Sequence, residues 1–262
     1  MRFATWNVNS LKARLPRVEE FLGYADVDVL CLQETKLSDK TFPALTFSGL
    51  GYESVHNGQG QWNGVAILSR VGISNVTNGF DDQHVDPYEG DARVLTADCG
   101  GVRFVTVYVP NGREVGTDFY DRKLVWLQTL HDWLAATQSP DDPLVVLGDF
   151  NVAPDDRDLW DPKKFVGATH VTPPERDAVT VLEKWGAEDV FRRFYGAADR
   201  LFSYWDYRAG DFHEHRGMRI DLVLATRPVA ERVTWTVVDR NARKGKLPSD
   251  HAPVIVDLAD EP

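Results

Sequence analysis

The sequence has few cysteines and no long hydrophobic run. Two of its 262 residues are cysteines, and Cys31 and Cys99 allow at most one disulfide and lack zinc-site spacing. This excludes disulfide-rich secreted domains and zinc fingers, so we expect two reduced core thiols. No apolar stretch approaches the roughly 18 residues that a membrane span requires, and the first residues indicate a strand instead of a signal peptide. We therefore expect a cytoplasmic protein with no membrane partner.

The chain also lacks an excess of positive charge. Its 29 basic and 40 acidic residues give a formal net charge of −11, which argues against binding nucleic acid through a generally basic surface. Carboxylates gathered around a divalent cation would account for part of this charge and say little about the remaining surface. Hydrophobic residues make up 43% and charged residues 26% of the chain, as is typical of a globular protein with a sizeable core.

Apolar periodicity predicts many strands and two amphipathic helices. Strands are expected at 2–8, 27–32, 64–69, 93–99, 102–109, 144–147, 219–225, 233–238 and 254–258, and helices from Leu15-Pro16 to residue 25 and over 117–138. Gly100-Gly101 predicts a two-residue hairpin loop. Because no repeat or linker interrupts the pattern, we expect a single domain over residues 1–262 with two packed sheets.

Polar residues recur where the predicted buried strands end. They are Asn7, Glu34, Tyr108, Asp149, Asn151, Asp221, Asp250 and His251. Loops held by rigid strands often carry catalytic groups, and converging carboxylates suit a hard cation such as Mg²⁺ better than zinc. Each residue alone has a simpler interpretation as a cap or turn. Asp221 is harder to explain in that way, since a charge in an apolar run is costly without a partner, and His251 is the candidate.

Six short motifs are spread along the chain. They are Thr5-Trp6-Asn7-Val8-Asn9, Leu32-Gln33-Glu34-Thr35-Lys36, Tyr108-Val109-Pro110-Asn111-Gly112, Gly148-Asp149-Phe150-Asn151, Arg219-Ile220-Asp221 and Ser249-Asp250-His251-Ala252-Pro253. Together they resemble the exonuclease III family of abasic-site endonucleases, within the endonuclease/exonuclease/phosphatase superfamily. The resemblance implies an α/β fold, a four-layer α/β sandwich of two mixed, mainly antiparallel sheets flanked by helices, with the active site at one end.

The resemblance also implies roles for the strand-end residues. Mg²⁺, with Mn²⁺ as an alternative, would be held by oxygen and amide ligands: Asn7, Glu34, Asp149, Asn151 and Asp250. The catalytic residues would be Tyr108, Asp149, Asn151, Asp221 and His251. Asp149 would deprotonate the attacking water, although His251 is an alternative base, and Asp221 would fix the imidazole tautomer. Tyr108 and Asn111 match positions that contact the phosphate.

DNA-facing residues are predicted from the same resemblance and from charge. They are Asn111, Arg113, Tyr204, Trp205, Met218, Ile220, Lys244 and Lys246. Tyr204, Met218 and Ile220 match the pocket for the abasic sugar, where methionine departs from the usual tryptophan or leucine. The stretch 192–219 interleaves arginines with aromatic residues, as suits phosphate contacts, but its acidic residues would equally give a salt-bridged face.

The function implied is a DNA repair hydrolase. It would cleave the phosphodiester 5′ to abasic sites in duplex DNA and would also act as a 3′-to-5′ exonuclease and 3′-phosphatase or phosphodiesterase. The partner would be duplex DNA with abasic sites or blocked 3′ ends, bound by a monomer. The alternative is a general nuclease or small-molecule phosphatase of the same superfamily. A non-catalytic DNA-binding protein would need a replaced ligand, and none is replaced.

Overall fold

The computed structural model describes residues 1–259, and its strands form two six-stranded sheets. The strands are β1 (Arg2–Asn7), β2 (Val29–Gln33), β3 (Glu53–Asn57), β4 (Val65–Ser69), β5 (Ser74–Asn78), β6 (Val94–Cys99), β7 (Val102–Tyr108), β8 (Leu144–Asp149), β9 (Ala187–Asp189), β10 (Asp221–Thr226), β11 (Val233–Val238) and β12 (Val254–Leu258). One sheet has the order β11-β12-β1-β2-β4-β3 and the other β5-β6-β7-β8-β10-β9. The pairs β1–β2 and β7–β8 are parallel and the remaining pairs are antiparallel. The predicted mixed, mainly antiparallel sheets are confirmed.

Helices pack against both sheets. They are α1 (Leu11–Ala25), α2 (Ala44–Gly49), α3 (Asp118–Thr137), α4 (Pro173–Trp185), α5 (Val190–Tyr195) and α6 (Arg227–Ala230). The outer face of the first sheet is covered by α1 and α2 and that of the second by α3 and α4, whereas α5 and α6 pack into the core between the sheets. The prediction that α1 begins at Leu15 is wrong. Leu11 is fully buried in the core beneath the helix, so the helix begins there and contains Pro16, whose missing N–H costs the second turn one backbone hydrogen bond.

Neighbouring residues of each central strand face different cores, because side chains alternate along a strand. In β1, Phe3 packs between the two sheets, whereas Ala4 packs beneath α1. In β8, Val145 packs between the sheets, whereas Val146 packs beneath α3 and α4. All four side chains are fully buried. Both faces of each sheet are therefore covered, which gives the four predicted layers of helix, sheet, sheet and helix.

The two cysteines agree with the sequence-based expectation. Cys31 and Cys99 are buried and unpaired, as predicted. Along residues 1–259, none of the helices combines the length and the apolar character needed to cross a membrane.

Strand register brings three of the predicted site residues into one row. Asp149 at the end of β8 is paired with Tyr108 at the end of β7 and with Asp221 at the start of β10. The backbones of β7 and β8 approach closely here: Gly148 has φ +144°, and a Cβ at this position would lie 2.0 Å from the Val107 carbonyl oxygen. The glycine of the Gly-Asp-x-Asn motif is therefore required by packing.

Candidate active site

Asn7 links the carboxylates of the two sheets. It ends β1, is fully buried, and its Nδ2 donates to Glu34 Oε1 and to Asp149 Oδ2, each at 2.8 Å. One amide group therefore holds a carboxylate from the first sheet beside a carboxylate from the second. Just beneath, Gln33 Nε2 donates to Thr5 Oγ1 and Thr106 Oγ1, both at 2.9 Å, and so joins the same two sheets.

Glu34 follows β2 in a left-handed conformation, with φ +52°. This turn aims the carboxylate at Asn7, and Lys36 Nζ lies 2.9 Å from Glu34 Oε2. Burial acts to raise the pKa of Glu34, but the Lys36 ammonium and the Asn7 amide outweigh it and hold the pKa below its usual value. Glu34 is therefore an ionised carboxylate, although most of its side chain is out of contact with water.

Asp149 lies at the centre of the site. Its Oδ1 accepts the backbone N–H of Asn151 at 2.9 Å, and its side chain is almost fully buried. Burial raises the pKa of Asp149 to about 7; the His251 ring opposes this rise, and the nearby Asp221 and Glu34 carboxylates add to it. A carboxylate with a pKa this close to neutrality suits a general base, since it accepts a proton more readily than an ordinary aspartate.

Asp221 and His251 form the predicted buried pair. His251 Nδ1 lies 2.8 Å from Asp221 Oδ2, and its Nε2 lies 3.7 Å from Asp149 Oδ2. Burial acts to lower the pKa of His251, but the Asp221 and Asp149 carboxylates outweigh it and raise the pKa to about 10. The ring is therefore an imidazolium at neutral pH. The partner that the sequence required for Asp221 is confirmed as His251.

Hydrogen-bond donors from the loops after β7 and β8 surround Asp149. Asn151 has φ +50°, and its Nδ2 donates to the Val109 carbonyl at 2.9 Å. Asn111 Nδ2 donates to Asn151 Oδ1 at 3.3 Å, which leaves one of its amide hydrogens for a ligand. Burial and the charges of Glu34 and Asp149 raise the pKa of Tyr108 well above its usual value, so the phenol remains a donor.

The charge balance of the site favours a bound cation. Asp149, Asp221 and His251 bring ligand-type atoms within 4.8 Å of one another, and Asp221 Oδ1 has no hydrogen-bond partner among residues 1–259. Because His251 carries a proton on each ring nitrogen at neutral pH, it is a poor metal ligand. The oxygen donors of Glu34 and Asp149 fit a hard divalent ion better.

The comparisons with known proteins agree with this geometry. The pattern of the endonuclease/exonuclease/phosphatase family matches residues 4–251. The chain is 31% identical to exodeoxyribonuclease III of Haemophilus influenzae, over 97% of this chain and 98% of that protein. The chain belongs to the endonuclease/exonuclease/phosphatase family. It is a DNA repair nuclease of the exonuclease III branch, and as a member of this family it is a metal-dependent hydrolase.

Two solved structures of this family are close to the nuclease along its whole length. One is the 3′ phosphatase NExo from Neisseria, bound to a product DNA hairpin, with 35% identity and a TM-score of 0.94 over 99% of each chain. The other is an AP endonuclease from Archaeoglobus fulgidus, with 34% identity and a TM-score of 0.94 over 98% of this chain and 99% of that one. The two proteins are about equally similar to the nuclease and are named for different activities, 3′ phosphatase and AP endonuclease.

A small apolar surface adjoins the imidazolium of the nuclease. The Tyr204 ring packs against His251, with ring centroids 4.9 Å apart. Met218 and Ile220 pack beside Tyr204, together with Leu159. Met218 and Ile220 are 8% and 2% exposed, so this predicted sugar pocket presents mainly the Tyr204 ring and a small part of Met218. Its role in holding an abasic sugar stays a prediction.

Trp205 does not belong to that surface. The prediction that it contacts DNA is corrected, because its side chain is 0% exposed. It packs edge-on against Phe212 at 5.2 Å, with the Arg240 guanidinium 5.4 Å from its ring. Successive side chains of an extended segment point to opposite sides. Because Tyr204 faces His251, Trp205 faces the opposite side, toward Phe212.

Most arginines of the stretch 192–219 are paired with acidic side chains. Arg219 is 1% exposed and lies 2.6 Å from Asp158 and 2.8 Å from Asp189. The other arginines of the stretch are paired as follows: Arg192 with Asp158, Arg193 with Glu188, Arg208 with Asp206 and Arg216 with Asp211. Arg200 differs, since its guanidinium donates to the Trp160 carbonyl at 3.2 Å. The salt-bridged face, which the composition left open, is the arrangement found. This stretch therefore supplies little free positive charge for DNA.

The basic loop before His251 is different. Lys244 and Lys246 are exposed, whereas Arg243 is buried and donates to the Ser249 carbonyl. Arg17 on α1 donates to the Lys244 carbonyl at 2.6 Å. The loop is therefore anchored at both ends and carries two exposed lysines a few residues before His251; the Lys244 ammonium donates to Asn241 Oδ1 at 2.9 Å. Arg113 is exposed too, with its guanidinium 3.7 Å from the Phe119 ring centroid.

Asp250 and a buried network complete the surroundings. Asp250 Oδ1 accepts from Asn9 Nδ2 at 3.2 Å; its metal role stays a prediction.

Sequence reasoning missed Lys123 and Glu175, which form an ion pair 2.5 Å long with both side chains 0% exposed. The Thr172-x-x-Glu175 capping box is a helix-start signal that the sequence shows. Such boxes usually lie at exposed helix ends, so the motif alone does not point to a functional site.

Proposed function

We propose that this nuclease hydrolyses the phosphodiester 5′ to an abasic site in duplex DNA, and that the same site trims 3′ ends as an exonuclease and phosphatase. The observation that carries the proposal is the Asp149–His251–Asp221 arrangement. It holds an ionisable base 3.7 Å from a buried imidazolium. One group accepts a proton while the other stabilises negative charge, as hydrolysis of a phosphodiester requires.

Asp149 serves as the base in this proposal. Above a pH of about 7 its carboxylate is ionised and takes a proton from the attacking water as the new P–O bond forms and the bond to the leaving oxygen breaks. His251 has a pKa of about 10, so it already carries its proton at neutral pH and cannot accept another. It donates a hydrogen bond to a non-bridging phosphoryl oxygen instead. Asp221 keeps the imidazole oriented through its 2.8 Å contact with Nδ1.

The metal proposed is Mg²⁺, with Mn²⁺ as the alternative. Glu34 would be its main ligand, with Asn7, Asp149, Asn151 and Asp250 as the further candidates. A divalent ion held there would neutralise the excess of carboxylates and polarise the phosphate. Tyr108 and Asn111 would donate hydrogen bonds to phosphoryl oxygens, which places donors where charge develops in the transition state.

DNA would be held by a local basic rim, since the chain as a whole is acidic. Arg113, Lys244 and Lys246 form this rim, and the bound ion offsets the central carboxylates. Tyr204 would contact the sugar opposite His251. The anchoring of the Lys244–Lys246 loop by Arg17 supports the proposal, because a fixed loop loses less conformational entropy when it binds a phosphate.

Incision of defined duplexes tests the substrate. A duplex with one tetrahydrofuran site is compared with undamaged duplex, single strand, an RNA–DNA hybrid and a duplex ending in a 3′-phosphate, each with Mg²⁺ and with a chelator. We expect metal-dependent cleavage that favours the tetrahydrofuran and 3′-phosphate duplexes. Equal cleavage of undamaged DNA and the hybrid would instead indicate a general nuclease. Hydrolysis of small phosphate esters alone would indicate a phosphatase.

Replacing Glu34 by Ala tests the metal site. Removal of a charged oxygen ligand from an ion that keeps several waters should weaken metal binding, so the half-saturating Mg²⁺ concentration should rise and activity should partly return at high Mg²⁺. Glu231→Ala, at an exposed position directly after α6, is the matched control and should leave that concentration unchanged. An unchanged value in Glu34→Ala would remove Glu34 from the ligand set.

A further inference from the structure

A second buried charge network contacts the loops that follow β7 and β8. The ammonium of Lys123, on α3, and the carboxylate of Glu175, on α4, are both 0% exposed and 2.5 Å apart. No group proposed above to bind metal, water or phosphate belongs to this pair. A buried ion pair seldom stabilises a fold more than packed apolar side chains of the same volume would. Its presence here needs another explanation.

Lys123 is bonded to the two loops that carry donors toward the phosphate. Besides Glu175, its Nζ donates to the backbone carbonyl of Asn151 at 2.7 Å and to that of Asn111 at 3.3 Å. These carbonyls belong to the two residues whose side chains meet beside Asp149 through the 3.3 Å amide contact. A single ammonium group thus sets the separation of the loop after β7 from the loop after β8.

Glu175 in turn fixes the position of Lys123. Its Oε1 accepts from Thr169 Oγ1 at 2.8 Å and from the His170 backbone N–H at 2.9 Å. Its Oε2 accepts from the Thr172 N–H at 3.1 Å and the Thr172 hydroxyl at 2.8 Å. With five donors including Lys123, the carboxylate has little freedom to move. The ammonium is held in one place as a result.

The loop around Asn111 has no room to adjust. Gly112 has φ +82°, and a Cβ there would lie 2.8 Å from Lys123 Cδ and 2.9 Å from Thr169 Oγ1. Asn151 is held in its left-handed conformation with its carbonyl also accepting from His170 Nδ1 at 2.5 Å. Burial and the nearby Lys123 charge lower the pKa of His170 to about 4, so this ring is a neutral donor.

We propose that Lys123 and Glu175 are positioning residues for phosphodiester hydrolysis: they hold the Asn111 and Asn151 amides in register with Asp149. This inference rests on the proposed function, because it takes those amides as contacts of the phosphate. The pair touches no substrate itself. Its loss should lower the turnover rate about 10²-fold, as a misplacement of about 1 Å costs, with little change in DNA affinity.

Three variants separate positioning from folding. Lys123→Met leaves the Glu175 charge buried alone and should lower the melting temperature strongly. Lys123→Met/Glu175→Met removes the lone buried charge and should recover part of that loss, although the other donors around Glu175 lose their acceptor; it cannot hydrogen-bond to the Asn111 and Asn151 carbonyls. Leu134→Ala, a fully buried position farther along the same helix, is a control that destabilises α3 by forming a cavity.

The readouts are single-turnover incision at saturating DNA, the Kd of a non-cleavable abasic duplex, and backbone amide exchange in residues 109–112 and 150–152. The double variant should retain its Kd, lose about 10²-fold in rate and exchange faster in both loops. A double variant with wild-type rate, or an equal loss of rate in Leu134→Ala, would overturn the inference. If wild type cleaves no DNA, the proposed function fails; unchanged exchange in the double variant then overturns the positioning role separately.

Discussion

Two clusters of buried charge lie on either side of the start of β10, and they differ in charge balance. Around Arg219, two arginines face two aspartates, Asp158 and Asp189, and each charge has a partner of opposite sign. Around Asp221, carboxylates outnumber the cationic groups, and Asp221 Oδ1 has no hydrogen-bond partner within residues 1–259. A balanced cluster is destabilised when one partner is removed, because a buried charge is then left alone; an unbalanced cluster is available to a metal ion and to protons.

The largest effect expected is a loss of incision rate in Asp149→Asn. The amide nearly preserves size but cannot accept the proton of water, so single-turnover incision should fall about 10²- to 10⁴-fold. DNA affinity should change little, and the unfolding free energy should not fall, because a charge beside Asp221 and Glu34 is removed. Asp98→Asn, at a half-exposed position on β6, is the control. Incision within a small factor of wild type would make His251 the better candidate for the base.

Arg219→Met should give the opposite result. It leaves Asp158 and Asp189 buried without their shared partner, so urea denaturation should show a loss of about 3–5 kcal/mol in unfolding free energy. The half-saturating Mg²⁺ concentration of the folded fraction should remain that of wild type. A changed metal requirement with unchanged stability would contradict the division between the two clusters.

Asp221→Asn should shift the titration of His251. The Asp221 and Asp149 carboxylates together raise its pKa to about 10 against the opposing effect of burial. With one of them neutral, the pKa moves down, and the proton affinity should fall about 10- to 10³-fold. The imidazolium is then lost at lower pH, so the alkaline limb of the rate profile should move to lower pH. Titration of the His251 ring protons by NMR in metal-free protein checks the direction, and an unmoved titration would exclude the pairing.

The smallest effect expected is at the basic loop. Each phosphate contact contributes a slope of about −0.9 to log affinity against log salt on duplex DNA. Lys244→Ala/Lys246→Ala should therefore make the slope shallower by up to about 2, with incision at saturating DNA nearly unchanged. Arg208→Ala, whose guanidinium pairs with Asp206, is the control. Equilibrium binding of a non-cleavable abasic duplex across a salt series decides it, and an unaltered slope would leave the loop without a role in DNA binding.

The sequence predicts which strand-end residues cluster, because polar residues stand out at the ends of apolar strands. Asp149 ends the fully buried strand β8, and Asp221 begins the fully buried strand β10. The register of these two strands then places the two residues side by side. Shared motifs supply the roles, which the strand pattern alone would not. The sequence does not predict the edge strands β3, β5 and β9: β3 and β5 expose much of their surface and so lack an apolar pattern, and β9 has only three residues.

The surroundings of the site are harder to predict because burial depends on tertiary packing. Tyr204 and Trp205 are adjacent aromatic residues, and only the paths of the neighbouring chain segments decide that one faces His251 while the other is enclosed. Lys123 and Glu175 look like ordinary surface residues of two helices until α3 and α4 pack against the loops after β7 and β8. Arg219 looks like a DNA contact until its aspartates, 30 and 61 residues away, come beside it.

The position of β1 between β2 and β12 determines how late in synthesis the site can be assembled. Trp6 Nε1 donates to the His251 carbonyl at 3.1 Å across 245 residues of sequence, and Thr5 pairs with Val254. During synthesis, Asn7 and Glu34 leave the ribosome long before Asp149 and His251. A growing chain thus carries half of the candidate site without the proposed base. The site is complete only when β12, which follows His251, pairs with β1.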